Sequence, residues 1–464
     1  MLNPIDSTIY HIYMTKRLVW IGLLQMAVLA GLWAQSENPD APAVLSIDEA
    51  VEYAWGHTTA IKNAGIDIAD AEQQIIERRA TGLPSLSGSA SYNRYLEIPV
   101  QVLPEQFVQL IQALNPGEEV SPEASFLLKN NFTAGLTLDA MIFDGSYFTA
   151  LKAAKAYRRY VQEEMLVEKR EVRNQVIDAY LPVLLVDENL GILDRNIENL
   201  EELLFETREL YEAGFAEQLD IDRLELSLSN LQIEKENLEQ QRTSAVNVLK
   251  FVLNFPMDQD LMLTEDLESY AESISGEALS GPINFEKRPE LSLANAGIEL
   301  QDLNVEVNKQ AFLPTLRGSL VYQQQYQGDN FSDGFWAPTS FVGLNLNVPI
   351  FDGFGKKATV ERARLEREKV INQRQDLQRS IRMEVHNARI EYLNARRSLD
   401  GQSKNLDLAR RIYETTQIKY REGVGSSLEV NQAEQSLYQT QSNYLQSLYN
   451  LVTARFALNR ALGN

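Results

Sequence analysis

At 464 residues the chain is long enough for a large core or two ordinary domains, and its formal net charge of −22 argues against a nucleic acid partner, because phosphate binding needs basic clusters. The chain has no cysteine, which excludes disulfides, thiolate metal sites, catalytic thiols and a lipidated N-terminal cysteine. Its three histidines, His11, His57 and His386, are scattered and form no metal-ligand motif, so we expect no metal and no other cofactor.

The N-terminal segment has the pattern of a secretory signal peptide. In "MTKRLVWIGLLQMAVLAGLWAQ", which begins at Met14, two basic residues precede an apolar run and small residues. We predict a signal peptide over residues 1–34 that ends at Ala34, with Met14 as an alternative start; the other interpretation is a membrane-anchor helix. No later stretch reaches the ~18 consecutive apolar residues of a transmembrane helix, so an exported chain that spans a membrane has to do so with strands.

The chain contains two copies of one unit. "LPSLSGSASY" resembles the later "LPTLRGSLVY", "IFDG" occurs twice, and "YEAGF" resembles "YREGV". Each copy predicts a helix, two strands, a very long helix, a glycine turn and a further helix. We place the first repeat at residues 35–253, an equatorial segment or linker at 254–289, and the second repeat at 290–464. The loop between strands is long in the first repeat, about 96–130, and short in the second, about 327–339.

The long helices carry heptad stripes, which are typical of helices that pack side by side as coiled coils. In the first repeat the stripe is Val172, Val176, Ala179, Val183, Val186, Leu190, Leu193, Ile197, Leu200 and Leu204. In the second repeat it is Leu377, Ile381, Val385, Ala388, Tyr392, Ala395 and Leu399. The spacing predicts a helix over 145–212, ~100 Å long at 1.5 Å per residue, with a kink at Pro182. An earlier helix is expected from Ile47 to about Arg79.

The predicted strands alternate between apolar and polar residues. The even-numbered apolar positions are Leu86, Gly88, Ala90, Tyr92, Phe132, Ala134, Leu136, Leu138, Ala140, Ile142, Leu316, Leu320, Tyr322, Val342, Leu344, Leu346, Val348 and Ile350. Strands of about 10 residues with this alternation are typical of transmembrane strands that face lipid on one side and water on the other. The alternative is a sheet of a water-soluble protein packed on a helical core. Four strands cannot close a barrel, so spanning strands require several chains.

One stretch resembles a dinucleotide fingerprint, G-x-G-x-x-A, at residues 353–358. The preceding strand alternates instead of being continuously apolar, and a very long helix follows in place of a second strand. We therefore predict a strand-to-helix junction at which Asp144 or Asp352 caps the helix start.

The two glycine turns predict the tips of helical hairpins, because Gly214 and Gly423 suit the left-handed position that follows a helix end. Ser426 and Glu429 have the spacing of a capping box. In an oligomer such tips form a ring, which is a candidate aperture and docking surface; the alternative is that they are only tight turns. The candidate docking residues are Tyr211, Gly214, Phe215, Tyr420, Gly423, Val424, Gly425 and Ser426.

Charged residues lie beside both turns. Carboxylates at a constriction favour cations, so we regard Asp220, Asp222 and Glu429 as candidates for a pore constriction. Arg421 is a further candidate because it could pair with such acids and hold the tips together. The alternative is that these acids only complement the helix dipole.

In the order of these motifs the chain resembles the TolC-type outer membrane efflux family, over about residues 45–462. The resemblance rests on "LSIDEAVEYA", the "LP-[ST]-L" strand entries, the "IFDG" strand exits and the two Y-x-x-G turns. It implies a mainly α fold with transmembrane β structure, in which two tandem repeats of long coiled-coil helices plus a two-stranded hairpin trimerise into a 12-stranded β-barrel and an α-helical periplasmic barrel. It implies tip acids at Asp220 and Glu429, although Glu217 stands where the family has a small hydroxyl residue and Glu429 stands where aspartate is common.

The resemblance also implies partners: two further copies of the chain, a periplasmic adaptor, an inner-membrane pump and outer membrane lipid. We predict a passive outer membrane channel subunit that exports small molecules and catalyses no reaction. The alternatives are the exit duct of a type I protein secretion system and, in a different class, a periplasmic coiled-coil scaffold without a pore.

Overall fold

The computed structural model describes residues 43–117, 121–125, 127–271 and 274–463, so the predicted signal peptide lies outside the described residues. The helices are α1 (Ile47–His57), α2 (Thr59–Ala80), α3 (Glu105–Leu114), α4 (Gly145–Glu212), α5 (Gln218–Leu253), α6 (Gly276–Ser280), α7 (Pro289–Gln310), α8 (Gly355–Arg421) and α9 (Ser427–Leu462). The strands are β1 (Ala43–Leu45), β2 (Ser85–Arg94), β3 (Gln101–Val102), β4 (Glu123–Ala124), β5 (Asn130–Asp144), β6 (Leu261–Leu263), β7 (Thr315–Gly328) and β8 (Phe335–Asn347).

The chain folds into two units, each built from segments of both repeats. Of the described residues, one unit contains 43–58, 172–271 and 393–455, and we call it the hairpin unit because it holds both glycine turns. The other contains 59–117, 121–125, 127–171, 274–392 and 456–463, and we call it the sheet unit because β2, β5, β7 and β8 lie in it.

The predicted order of elements is confirmed in both repeats. The first runs α2, β2, β5, α4, turn, α5, and the second runs α7, β7, β8, α8, turn, α9. The long helices α4 and α8 have 68 and 67 residues. Helix α4 continues through Pro182. None of the described helices is both long enough and apolar enough to cross a membrane.

The helix predicted from Ile47 to about Arg79 is divided in two by Thr58, which has an extended backbone at φ −66° and ψ 143°. The Thr58 hydroxyl donates to the Ala54 carbonyl oxygen at 2.7 Å, and the Thr58 backbone N–H donates to the same oxygen. Threonine favours such local bonds over helix continuation, so the uniform helix prediction was wrong at this residue.

The heptad stripes lie mainly in the interior of the units. In the first stripe Val176, Val183, Leu193 and Leu200 are fully buried, and in the second Val385 is fully buried. Fully burying one such side chain stabilises a fold by about 1.5–3 kcal/mol, so these stripes dominate the packing of the long helices.

The sheet has the strand order β2-β5-β7-β8, and all its pairs are antiparallel. As far as Met141 on β5 the register aligns the even-numbered positions of all four strands, so the predicted apolar face is continuous across both repeats there; a bulge between Met141 and Phe143 then pairs Phe143 with Leu316. One such row is Leu86, Leu138, Leu320 and Val342. The strands are 10, 15, 14 and 13 residues long. The predicted loop at about 327–339 is shorter than expected, because β7 extends to Gly328 and β8 begins at Phe335.

Candidate functional site

Both glycine turns end their helices in the same way. Gly214 has φ +82° and Gly423 has φ +76°, as the sequence predicts for a left-handed residue after a helix end. The N–H of the next residue bonds back to a carbonyl of the last turn: Phe215 to Leu210 at 2.8 Å and Val424 to Lys419 at 3.0 Å. These bonds pair carbonyl groups that the helix end would otherwise leave unpaired. The side chains of Phe215 and Val424 project into solvent and are 83% and 78% exposed.

Each turn is followed at once by a new helix start. At the first, the Glu217 N–H donates to Asp220 Oδ2 at 3.0 Å. At the second, the Glu429 N–H donates to Ser426 Oγ at 3.3 Å, so the predicted spacing of Ser426 and Glu429 does serve the helix start. The same kind of cap begins the long helices, since Ser146 N–H donates to Asp144 Oδ1 at 2.9 Å and Lys356 N–H donates to Asp352 Oδ2 at 2.7 Å.

Behind the turns, four helices share one apolar cluster. Its buried members come from α4, α5, α8 and α9: Leu200, Leu203, Leu204, Ile221, Leu224, Ala409, Tyr413, Tyr420, Val430, Ala433 and Leu437. The two tyrosines of the Y-x-x-G turns therefore differ, because Tyr420 belongs to this cluster and Tyr211 is 42% exposed. The cluster holds the two hairpins together through apolar contacts that water cannot easily replace.

Nearer the turns, polar contacts join one hairpin to the other. Arg421 Nε donates to Glu206 Oε2 at 2.7 Å, so the partner of this arginine is none of the three predicted acids. The hydroxyls of Thr207 and Tyr420 lie 3.3 Å apart. Ion pairs this exposed contribute about 0–1 kcal/mol, far less than the apolar cluster behind them.

A second polar group joins the hairpins at Asp220. Its Oδ1 accepts from the hydroxyl of Ser427, which is buried, and lies 3.8 Å from Arg223 Nη1. Arg223 Nη1 also donates to Ser427 Oγ at 3.3 Å. Asp220 is thus bound to residues of both hairpins. Sequence analysis missed Ser427 and Arg223, because only the packing of α5 against α9 brings them to Asp220.

The other candidate acids are exposed. Asp222 Oδ1 accepts from Gln218 Nε2 at 2.8 Å within the same helix, and the side chain of Glu429 is solvent-exposed. Between the two turns lies a cleft of 530 Å³, lined by charged side chains and turn backbone. The lining includes Phe215, Asp220, Arg223, Arg421, Gly423 and Ser426. Of the predicted docking residues, the cleft is lined by Phe215, Tyr420, Gly423, Gly425 and Ser426, whereas Tyr211, Gly214 and Val424 are not part of its lining.

One buried acid in this unit was not anticipated. Glu434 on α9 sits beside the buried Ala433, and its Oε2 is shielded from solvent without a hydrogen-bond partner among the described residues. Burial raises the pKa of Glu434 to about 7. Burial, together with the charge of Glu434, raises the pKa of Tyr413 to about 12. Its burial could have been predicted from the sequence, because Glu434 is adjacent to Ala433, one of the apolar positions of α9.

In the sheet unit, the apolar face ends in a complete row of aromatic residues at the strand ends away from the long helices. We call it the aromatic row: Tyr92, Phe132, Tyr326 and Trp336, one from each strand. The ring centroids of Tyr326 and Trp336 lie 5.4 Å apart, and those of Phe132 and Trp336 lie 6.0 Å apart. An apolar band edged by aromatic residues is typical of strands that cross a membrane.

The opposite face is the polar face. Its rows include Ser89, Gly135, Gln323 and Thr339, and then Ser91, Thr133, Gln325 and Ala337. Hydroxyl and amide side chains suit a water-filled lumen. Within the described residues no group of three or more histidine, cysteine, aspartate or glutamate side chains is placed to hold a metal ion.

The chain is similar to known proteins in sequence and in fold. A sequence profile described as "Outer membrane efflux protein" matches residues 53–254 and 285–464. The pyoverdine export outer membrane protein OpmQ of Pseudomonas aeruginosa is 25% identical over 350 residues, which cover 72% of this chain and 70% of OpmQ. The alkaline protease secretion protein AprF of the same species is 21% identical over 336 residues, which cover 70% and 68% of the two chains.

Among solved structures, the fold resembles the open state of the MtrE outer membrane channel of Neisseria gonorrhoeae. The TM-score is 0.68 at 18% identity, and the match covers 93% of this chain and 94% of that one. At this identity the match supports the fold alone.

Proposed function

Because the chain belongs to the outer membrane efflux protein family, we propose that its two helical hairpins form the inner end of an export duct and its sheet the outer end. The protein is located in the outer membrane, where it serves as a channel subunit of an export system. The single observation that carries the proposal is the two-faced sheet, in which an apolar face ending in the aromatic row backs a face of serine, threonine, glutamine and asparagine.

The duct is a homotrimer. Strands β2 and β8 are the edges of the four-stranded sheet, and an edge left unpaired in lipid costs several kcal/mol for each backbone group. Pairing β8 of one copy with β2 of the next removes every edge. Three copies then close a 12-stranded barrel, while their long helices enclose the periplasmic part.

The tips dock a periplasmic adaptor that is joined to an inner-membrane pump. Phe215 and Val424 supply exposed apolar contacts, and the left-handed backbone at Gly214 and Gly423 lets a partner approach closely. An exposed apolar side chain at each tip is the kind of anchor that a partner helix buries.

Opening is a separation of the hairpins near their tips. The contacts that must break are the weak polar ones, Arg421 with Glu206 and Asp220 with Ser427, while the apolar cluster behind them keeps the two hairpins joined farther from the turns. An adaptor that binds the separated arrangement more tightly shifts the population toward it.

The cargo is a small molecule that moves passively. The polar face offers hydrogen-bonding groups to a solute that moves along it. The free energy that drives export comes from the inner-membrane pump. A second candidate function is the exit duct of a type I protein secretion system. It is favoured by the sequence similarity to the alkaline protease secretion protein AprF.

A photoreactive residue placed at Val424 in cells tests the docking and the pump class together. We expect it to capture an adaptor, and the same residue at Leu408, exposed on α8 away from the turn, to capture much less. A proton-driven pump recovered with the adaptor supports small-molecule efflux; an ATP-driven exporter recovered with a secreted protein supports the second candidate. Capture of no adaptor at Val424 would falsify docking at the tips.

A further inference from the structure

Helix α9 packs against the first hairpin, formed by α4 and α5, along one stripe of side chains, and we call this contact the seam. The stripe consists of Ser427, Val430, Glu434, Leu437 and Gln441, which are spaced 3, 4, 3 and 4 residues apart. This is the heptad spacing of helices that pack as coiled coils. The residues before and after Glu434 in the stripe are both buried in the apolar cluster. Glu434 therefore occupies a core position of the seam.

The other polar members of the stripe show that it faces the first hairpin. The Ser427 hydroxyl, at one end, donates to Asp220 Oδ1 on α5. At the other end, Gln441 Oε1 accepts from Asn196 Nδ2 on α4 at 2.9 Å. Both of these side chains have a partner across the seam. Glu434 lies between them, and its Oε2 is shielded from solvent without a hydrogen-bond partner in the described part of the chain.

The helices around Glu434 supply no positive charge to pair with it. The first hairpin contributes only leucine and isoleucine side chains to the buried cluster, and on α8 the titratable group beside Glu434 is Tyr413. The charged side chains elsewhere around the seam are Glu202 and Glu206 on α4, Asp220, Arg223 and Glu234 on α5, and Arg421 on α8. Arg421 is bonded to Glu206, and Arg223 is bonded to Ser427, so neither arginine is the partner of Glu434.

A carboxyl group in such a place is tolerated with its proton and disfavoured without it, because a buried carboxylate needs a cation or hydrogen-bond donors. Glu434 lies seven residues after Ser427, about 10 Å at 1.5 Å per residue, so it belongs to the end of the seam nearest the turns. Separation of the hairpins at that end would let water reach and solvate the carboxylate. Loss of the proton therefore favours the separated arrangement.

We propose that Glu434 is a proton-operated latch of the export duct, which holds the hairpins together when protonated and lets them separate when ionised. The latch rests on the proposed function, since it requires that separation of the hairpins opens the duct. Its direction follows from the proton count of the two arrangements. Burial raises the pKa of Glu434 in the closed seam to about 7, so the closed seam keeps a proton that the open seam has released. Closing is favoured at low pH, and this advantage is lost as pH rises toward about 7.

Planar-bilayer recordings of the full-length reconstituted trimer at about pH 5.5 and about pH 7.5 test the latch. The open fraction of the wild type should rise on the order of tenfold between the two, as expected for a group whose pKa is about 7 when closed and ordinary, 4.5, when open. Glu434→Gln keeps the shape of the side chain without its charge, so it should have the same low open fraction at both pH values. Glu414→Gln, exposed on α8, is the matched control and should respond to pH as the wild type does.

A double variant, Glu434→Gln with Arg421→Ala, shows whether the glutamine channel can still open. It lacks the ion pair between Arg421 and Glu206, so it should open more than Glu434→Gln at both pH values. A double variant as closed as Glu434→Gln counts against the latch, because the glutamine would then obstruct opening by itself.

Two results with the single variants would overturn the latch. One is a wild type that conducts with the same open fraction at both pH values, and the other is an equal pH response in the wild type and Glu434→Gln, which would assign the titration to another group. A wild-type trimer that inserts and never conducts at either pH refutes the proposed function instead.

Discussion

At the scale of single residues, Glu434 gives the hairpin unit a pH dependence. Its pKa is raised to about 7 in the folded chain from an ordinary 4.5, because burial disfavours the charged carboxylate. Between these two pH values the folded state holds a proton that the unfolded chain has released. Stability therefore falls as pH rises through this interval and levels off above about 7, by at most about 3 kcal/mol in total.

We expect Glu434→Gln to raise the melting temperature at pH 8 and to leave it nearly unchanged at pH 4.5, because glutamine has no charge to bury. Circular dichroism melts of the detergent-solubilised trimer at both pH values measure this. Glu414→Gln, exposed on α8 beside Tyr413, is the control and should show no such pH-specific gain. A gain of equal size at both pH values would argue against ionisation of Glu434 as the cause.

The turn glycines permit a comparison of one substitution in two backbone conformations. A Cβ added at Gly423 or at Gly401 meets nothing within 4 Å, but Gly423 has φ +76° and Gly401 lies within helix α8. Gly423→Ala should destabilise the protein by about 1 kcal/mol, and Gly401→Ala should stabilise it by roughly the same amount. Thermal melts of the two variants measure the difference, and a shift in the same direction for both would contradict this explanation.

At the scale of elements, the sheet register assigns consecutive residues of β8 to different solvents. Phe341 lies in a row of the polar face with Ser87, Thr137 and Val321, and Val342 lies in a row of leucines on the apolar face. Because the chain has no natural cysteine, a single introduced cysteine is its only thiol, and chemical labelling then reports the solvent exposure of that position alone.

Phe341→Cys should react with a membrane-impermeant maleimide in the reconstituted channel, and Val342→Cys should not, because lipid covers it. Both thiols should react after denaturation, which controls for reagent and protein. Equal labelling of the two native variants would mean that the sheet does not separate water from lipid.

The element scale also shows where sequence reasoning succeeds and where it fails. Alternation and the glycine turns depend on local residues, so the strands, the long helices and the turn geometry at Gly214 and Gly423 were predicted. The break at Thr58 was missed because a side-chain bond competes locally with the helix. The Glu206 partner of Arg421 was missed because it depends on how α8 packs against α4.

At the scale of the whole molecule, the polar contacts near the tips should control conduction. Arg421 bridges the two hairpins through Glu206, whereas Arg208 bonds to Glu225 within one hairpin at 2.7 Å. Arg421→Ala should raise the open fraction of the channel several-fold, since a loss of about 1 kcal/mol changes a two-state ratio about fivefold. Arg208→Ala should leave it near the wild-type value.

Planar-bilayer recordings of the reconstituted trimer measure both open fractions. The prediction fails when the two variants conduct alike, because the loss of any exposed ion pair would then have the same effect. High salt should open the wild type further and should affect Arg421→Ala less, since the variant has no such pair left to screen.

The aromatic row also determines how the protein must be made. Tyr92 and Phe132 come from the first repeat, and Tyr326 and Trp336 come from the second, so neither half of the chain can complete the row alone. Until β8 has been synthesised, the apolar faces of β2 and β5 have no finished sheet to join, and pairing between segments so distant in sequence is slow. A chain that lacks β8 therefore carries unpaired strands with apolar faces, which are prone to aggregate.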